Sequence, residues 1–409
     1  MFPGHSSSDW LFVVNGWVVG GMAGAFSCGY FADRYGRKST LTANCFVIVI
    51  AAVVQAFAPT LPVFVVGRVI AGIASGTATA ICNGYASEVT PPHLQGTVGT
   101  FFVFAIALGL FLASIAFFIA GTSTGWRYIA GFPIVLALII LGFSRQHLVE
   151  SPAWLFLQQR DSEAEDVLSQ LYGKENVVVA TQWTKTKAPS TGKHKVSWKS
   201  LFAVRYRRQV ILAVHFALSA QFTGINAVFF YSSILFKTAG IKDGRFGTLI
   251  VSLLYLLPSF AVPCMVRRFG NRKMLIGGHF AMLLAAVGLT IALVSKAETL
   301  SIAFVALYAA IFSLTLCALM FPTAATIFPD DIRATGMSLV MLVNWIGTLV
   351  IGVGYPYVAS ALNDLAFLPF IVSLVYFVIF MYKFLPNTTG KTNDEIQQVF
   401  DTENNTCLN

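Results

Sequence analysis

The chain has 409 residues, of which 56% are hydrophobic and only 11% charged, with a mean hydropathy of +0.73 and a formal net charge of +9. A typical soluble domain carries roughly 25% charged residues, so this composition excludes a soluble globular protein. It predicts an all-α protein that crosses a lipid bilayer many times.

Apolar runs recur along the whole chain, and each is long enough, at about 19–25 residues, to cross the hydrocarbon core as a helix. We predict eleven such spans, five before a long polar segment and six after it: 10–32, 39–58, 61–87, 97–121, 126–144, 209–236, 246–266, 273–295, 299–328, 334–360 and 364–384. In the first span, a stripe of glycines at every fourth position is typical of closely packed membrane helices: Gly16, Gly20 and Gly24.

Lys and Arg are distributed unevenly between the two faces that these spans define. One face receives 21 of the 27 positive residues, and outside the long polar segment it still receives 10 against 6. Because positive loops are retained in the cytoplasm, we predict that this face and the C-terminus are cytoplasmic. The net charge then reflects membrane topology, and we expect no nucleic-acid partner. The predicted regions are an N-terminal bundle of five helices, a cytoplasmic linker with short helices, a C-terminal bundle of six helices and a cytoplasmic tail: 1–144, 145–208, 209–384 and 385–409.

Residues 220–233, AQFTGINAVFFYSS, interrupt an apolar and aromatic span with polar side chains. Gln221 and Asn226 each offer two donors and two lone pairs, which suits a neutral, hydroxyl-rich solute better than an ion. Gly224 lies between them, where a helix can loosen and let backbone and amides share one cavity. The alternative is that the amides bond to neighbouring helices and only hold the bundle together.

The two halves of the chain repeat a pattern. A basic loop, GYFADRYGRKS at 29–39, is echoed by VRRFGNRK at 266–273. A second pair shares the offsets 0, 3 and 7: Glu88, Pro91 and Gln95 in the first half, and Thr326, Pro329 and Arg333 in the second. Multi-helix repeats with a central site are typical of secondary transporters, although basic loops and prolines also recur in membrane proteins generally.

Motifs spread from about residue 10 to residue 396 resemble the sugar porter branch of the major facilitator superfamily. They are GYFADRYGRK (29–38), GRVIAGIASG (67–76), EVTP (88–91), ESPAWL (150–155), QFTGINAVFFYSS (221–233), NW (344–345) and LPNTTGKT (385–392). The resemblance implies the major facilitator fold, an all-α membrane fold of two helical bundles. Its norm is twelve helices; the first span here resembles the family's second, so we expect about eleven, without the family's first helix.

The resemblance also implies a sugar site. Gln221 and Asn226 on the broken helix, together with Asn344, occupy sugar-binding positions, and Phe321 stands where many members have a tryptophan beneath the sugar. Three positions that usually offer amides carry other residues here: Val103, Ala220 and Tyr255. Another hexose, a pentose, a polyol or a less polar compound therefore remains open as the solute.

A gate at the cytoplasmic helix ends is implied in the same way. The charged residues that match it are Asp33, Arg37, Glu88 and Arg333. Four other positions that are charged in the family are uncharged here: Gln95, Ala153, Thr326 and Asn387. We expect a gate with fewer ion pairs, which opens more easily towards the cytoplasm.

The predicted function is transport of a hexose-like monosaccharide by alternating access, as facilitated diffusion or as symport with protons. We expect a multi-pass protein of the plasma membrane, with the sugar and the lipid bilayer as partners. No motif indicates an enzyme, a cofactor or a metal site. Two alternatives stay open: a sugar sensor of the same fold, and a truncated product that does not transport.

Overall fold

The computed structural model describes residues 7–91, 94–120, 122, 124–187, 201–229, 244–329, 332–387 and 395–400. Within these residues every regular element is helical. The longer helices are, in chain order, α1 (Ser7–Tyr35), α2 (Arg37–Ala56), α3 (Leu61–Glu88), α4 (Gln95–Ala120), α5 (Trp126–His147), α6 (Pro152–Leu157), α7 (Asp161–Tyr172), α8 (Val177–Lys187), α9 (Arg207–Phe222), α10 (Gly244–Ser259), α11 (Val262–Phe269), α12 (Asn271–Val294), α13 (Glu298–Phe312), α14 (Ala318–Ile327), α15 (Arg333–Leu362) and α16 (Leu368–Phe384).

The predicted multi-span, all-α architecture is confirmed. Nine helices of the described residues are long and apolar enough to cross a membrane, and a tenth span is formed if α10 and α11, bent by 51°, are counted as one. The last apolar helix, α16, has 17 residues. These elements coincide with the eleven predicted spans; the end of the sixth, beyond residue 229, lies outside the described residues.

The chain divides into two compact units, one formed by Met1–Phe102 and Ala120–Lys195, the other by Val103–Ile119 and Val196–Asn409. Most of α4 therefore packs with the second unit, where the Phe104 and Phe260 rings lie 4.8 Å apart. The bundle boundaries placed in the sequence at 144, 208 and 384 stay predictions.

In the first unit, α1 and α3 pack backbone against backbone through their glycines. A Cβ at Gly20 would lie 2.0 Å from the carbonyl oxygen of Val69, and a Cβ at Gly24 would lie 2.1 Å from that of Ile73. On α3, Gly72 and Gly76 face α1 equally closely. Because lipid offers no hydrophobic drive between helices, this close approach is what holds the pair together.

The polar segment after α5 folds into short helices with a small core of their own. Trp154, Leu155 and Phe156 of α6 are buried against Ala164 and Leu168 of α7. The predicted short helices of the linker are therefore present up to residue 187, and residues 188–200 lie outside the described part.

The buried apolar side chains described in the second unit form three clusters. The largest fully buried side chains of this unit include Met282 and Leu289 of α12, Tyr308 of α13, and Phe367 just before α16. The helix α9 packs against α15 and α16. This places the residues that follow α9 inside the unit.

The glycine contact between α1 and α3 yields a stability prediction. We expect Gly24→Val to lower the free energy of unfolding by about 2–3 kcal/mol, because its side chain must push against the backbone of Ile73. The matched control is Gly29→Val on the same helix, where an added Cβ meets nothing within 4 Å. Thermal unfolding of the two purified variants in detergent measures the difference; equal melting temperatures would contradict the packing argument.

Candidate functional site

The helix α9 ends at Phe222, and the chain turns through Gly224 before it becomes helical again at 225–229. Gly224 has a φ of +85°, a conformation that L side chains rarely adopt. A Cβ there would also lie 2.6 Å from the ring of Phe370 on α16. The break therefore requires glycine at this position.

Two side chains from other helices donate hydrogen bonds to the carbonyls that the break leaves without a helical partner. The Ser373 hydroxyl on α16 donates to the Phe222 carbonyl at 2.5 Å, and the Tyr308 hydroxyl on α13 donates to the Thr223 carbonyl. Tyr308 is fully buried. Since an unsatisfied carbonyl in hydrocarbon costs several kcal/mol, these two hydroxyls stabilise the broken form.

Gln221, just before the break, is buried and is the centre of a cluster of amides and hydroxyls whose other amides are half-buried. Its Nε2 donates to Asn344 Oδ1 on α15 at 2.6 Å. Its Oε1 accepts hydrogen bonds from Asn226 Nδ2 and, at 3.1 Å, from the Thr348 hydroxyl. The structure therefore brings three of the predicted sugar-binding residues, Gln221, Asn226 and Asn344, into direct contact.

Thr348 is a member of this cluster that the sequence reasoning missed. It lies one helical turn after Asn344, so both side chains share one face of α15, and its hydroxyl also lies 3.0 Å from the Asn344 carbonyl. Between them, Gly347 lets the Gln221 side chain approach, because a Cβ there would lie 2.9 Å from it. The spacing Asn344-x-x-x-Thr348 was the available signal.

The other positions singled out in the sequence lie in apolar surroundings. Val103 and Ala220 are buried in one cluster, and Phe321 packs partly buried against it. Tyr255 is buried with its ring 5.2 Å from that of Phe229, and its hydroxyl donates to Cys317 Sγ at 2.9 Å. Of the sugar-site positions singled out in the sequence, those that carry amides therefore meet where α9 packs against α15.

Three of the four predicted gate residues lie together at the start of α2 in the first unit. The Arg37 guanidinium donates to both carboxylate oxygens of Glu88, at 3.0 and 3.1 Å, and lies 3.5 Å from Asp33. This fork-to-fork pair joins α2 to the end of α3. The fourth residue, Arg333, belongs to the second unit and donates to the Ala325 and Phe328 carbonyls at the end of α14.

Glu150 caps a helix, a role that its sequence motif did not indicate. Its Oε1 accepts hydrogen bonds from the backbone N–H groups of Arg37 at 2.7 Å and Lys38 at 3.1 Å, so it caps the N-terminus of α2. Gly36, with a φ of +93°, leaves room for this carboxylate. A carboxylate is favoured here by the positive end of the helix dipole.

The four side chains of the Gln221 cluster (Gln221, Asn226, Asn344 and Thr348) are uncharged, and each can both donate and accept a hydrogen bond. Such a set recognises hydroxyl groups without a charge on the solute. Within the described part of the chain, no three His, Cys, Asp or Glu side chains group closely enough to hold a metal ion.

An all-helical, multi-span chain with a broken helix that carries polar groups has the architecture of a secondary transporter. The family model described as "Sugar (and other) transporter" matches residues 3–400. The chain belongs to this family, and the predicted resemblance to sugar porters of the major facilitator superfamily is confirmed.

Relatives with similar sequences carry transporter names. The chain is 31% identical to facilitated glucose transporter member 1 of solute carrier family 2 from Gallus gallus, over 97% of this chain and 84% of the relative. It is 30% identical to plastidic glucose transporter 4 from Arabidopsis thaliana, over 94% of this chain and 72% of the relative.

Solved structures show the same fold. The inward-open structure of the xylose transporter XylE from E. coli matches with a TM-score of 0.82, at 24% identity, over 97% of this chain and 91% of that chain. The proton:xylose symporter XylE bound to 6-bromo-6-deoxy-D-glucose matches with a TM-score of 0.80 over the same shares. The predicted major facilitator fold is thereby confirmed.

Thr348→Val tests whether the cluster contacts solute. Loss of one hydroxyl that bonds to Gln221 removes a hydrogen bond worth about 1 kcal/mol, so we expect the KM for uptake to rise roughly fivefold. Thr290→Val is the matched control, because Thr290 is also buried but bonds to Ala286 of its own helix. If both variants show the same uptake kinetics, Thr348 is not part of the solute site.

Tyr308→Phe tests the hydroxyl that holds the helix break. The variant leaves the Thr223 carbonyl without this donor, which costs about 1–3 kcal/mol. We expect a lower melting temperature and a loss of solute affinity of up to about tenfold, since the break positions the cluster. Tyr357→Phe, at an exposed tyrosine of α15, is the control. If both variants melt and bind alike, the hydroxyl does not hold the break.

Proposed function

We propose that this protein carries a monosaccharide through a membrane by alternating access and that the Gln221 cluster is part of its sugar site. The observation that supports the proposal is the hydrogen-bonded set of Gln221, Asn226, Asn344 and Thr348 at a break in a membrane helix. Each of these groups can exchange a neighbour in the protein for a sugar hydroxyl. The names of the relatives support the same solute class.

Weak binding follows from this exchange. Cluster members already bond to one another, so a sugar gains hydrogen bonds only as others are given up. We expect a dissociation constant on the order of 1 mM, or about −4 kcal/mol, which also allows fast release.

The apolar surroundings of Val103, Ala220 and Tyr255 leave fewer polar groups for the solute. This favours a sugar that presents only part of its hydroxyls to amides, such as a pentose or a modified hexose.

The energy coupling and the orientation are part of the same proposal. Both facilitated diffusion and symport with protons have support, since the relatives named above include facilitated transporters and a proton:xylose symporter. We propose that the charged cluster of Asp33, Arg37 and Glu88 lies on the cytoplasmic side and belongs to the inner gate, together with Arg333. The C-terminus would then be cytoplasmic. We also propose that the membrane in which the protein lies is the plasma membrane.

The experiment is uptake of radiolabelled glucose and xylose by cells that lack hexose carriers and express the full chain. We expect saturable uptake, and a fall of at least tenfold in Gln221→Leu and in Asn226→Leu, because leucine removes the hydrogen-bonding groups. Gln55→Leu is the matched control: Gln55 is another buried glutamine, and its amide donates to Ala51 of its own helix.

Binding assays on the purified protein complete the test. Normal surface expression of all variants is measured first, so that loss of uptake is not loss of protein. Wild-type uptake in both leucine variants would refute the proposed site. Sugar binding without uptake by the wild-type chain would refute transport and favour a sugar sensor.

A further inference from the structure

The turn between α11 and α12 carries an unusual concentration of positive charge. Arg267, Arg268, Arg272 and Lys273 line a cavity of about 280 Å³, together with Phe269, Gly270 and Asn387. None of these lining residues is acidic. The ion pairs formed by described residues involve none of the four cations. Four like charges within seven residues repel one another, so a bound anion would stabilise this turn.

The internal repeat shows what such a turn accommodates. In the sequence, Gly36 and Gly270 hold the same place in the repeated basic loops, and both precede a helix with similar backbone angles, φ +93° and +75°. At the first turn, Glu150 places a carboxylate against the N–H groups of Arg37 and Lys38. At the second turn, Gly270 has no side chain that could cap α12, and the first turn of α12 has no acidic residue. The second copy therefore has the same glycine turn, but the residues that line its cavity include no carboxylate.

The four cationic side chains differ in how firmly hydrogen bonds to the protein hold them in place. Arg272 is held in place, because its Nε donates to the Leu385 carbonyl at 2.7 Å and its Nη2 to the Tyr382 carbonyl at 2.9 Å. Arg267, Arg268 and Lys273 are exposed. Guanidinium groups match phosphate oxygens with paired donors, so two exposed arginines next to a lysine suit a phosphate group better than a single carboxylate.

We propose that this cavity binds a phosphate group and that an anionic lipid headgroup supplies it. The lipid is favoured over free phosphate because Phe269, 44% exposed, lies in the same wall as the cations. The turn also lies at the ends of helices that cross the membrane, where basic side chains meet anionic headgroups. The site is separate from the Gln221 cluster and does not rest on the proposed transport function.

Native mass spectrometry of the full-length, detergent-solubilised protein tests the site with dioleoyl phosphatidic acid as the probe and dioleoyl phosphatidylcholine as the neutral lipid. The variant is Arg267→Gln with Arg268→Gln, since both side chains are exposed. The matched control, Arg145→Gln with Arg207→Gln, removes two other exposed charges. We expect wild type and control to retain phosphatidic acid over phosphatidylcholine and the test variant to bind it at least tenfold more weakly.

Three results would overturn the proposal. Equal phosphatidic acid binding by the test variant places the lipid elsewhere. No preference over phosphatidylcholine means that the cavity does not recognise the phosphate. Displacement of the lipid by millimolar inorganic phosphate assigns the cavity to the free anion. Thermal unfolding without lipid shows that the test variant is folded, so that weaker binding is not caused by misfolding.

Discussion

The requirement that every backbone polar group in a membrane interior find a partner within the protein shapes the rest of this structure. A break at Gly224 frees the carbonyls of Phe222 and Thr223, and lipid cannot hydrogen-bond them. Ser373 and Tyr308 donate to these groups from two other helices. Because the break is held from both sides, Gln221 and Asn226 converge on one point, and the polar cluster can form.

The same environment explains how the helices associate. Lipid gives no hydrophobic reward for helix contact, so α1 and α3 rely on the close approach that Gly20, Gly24, Gly72 and Gly76 permit. Val103 and Ala220 lie in apolar surroundings, and the buried Tyr255 hydroxyl donates a hydrogen bond to Cys317.

Charged side chains are found at the helix ends, where water and lipid headgroups can stabilise them. The first basic loop is neutralised inside the protein, by Glu88 on the guanidinium of Arg37 and by Glu150 on the helix N-terminus. The second loop has the corresponding glycine turn and four cations around it. The two copies of the motif therefore differ in whether carboxylates of the described residues lie beside their cations, and this contrast is visible only when they are compared in three dimensions.

The sequence by itself determined the approximate positions of the membrane helices, the glycine stripe, the transporter class and the amides at Gln221, Asn226 and Asn344. These features are local, because hydrophobic run length and the cost of a polar residue in lipid act on a single segment. Only the tertiary structure decided which residues meet. Thr348 lies 127 residues from its partner Gln221, Ser373 lies 151 from Phe222, and Glu150 lies 113 from Arg37. A single hydroxyl or carboxylate carries no local pattern that identifies such a distant partner, because only the packing of the helices brings the two groups within hydrogen-bonding distance.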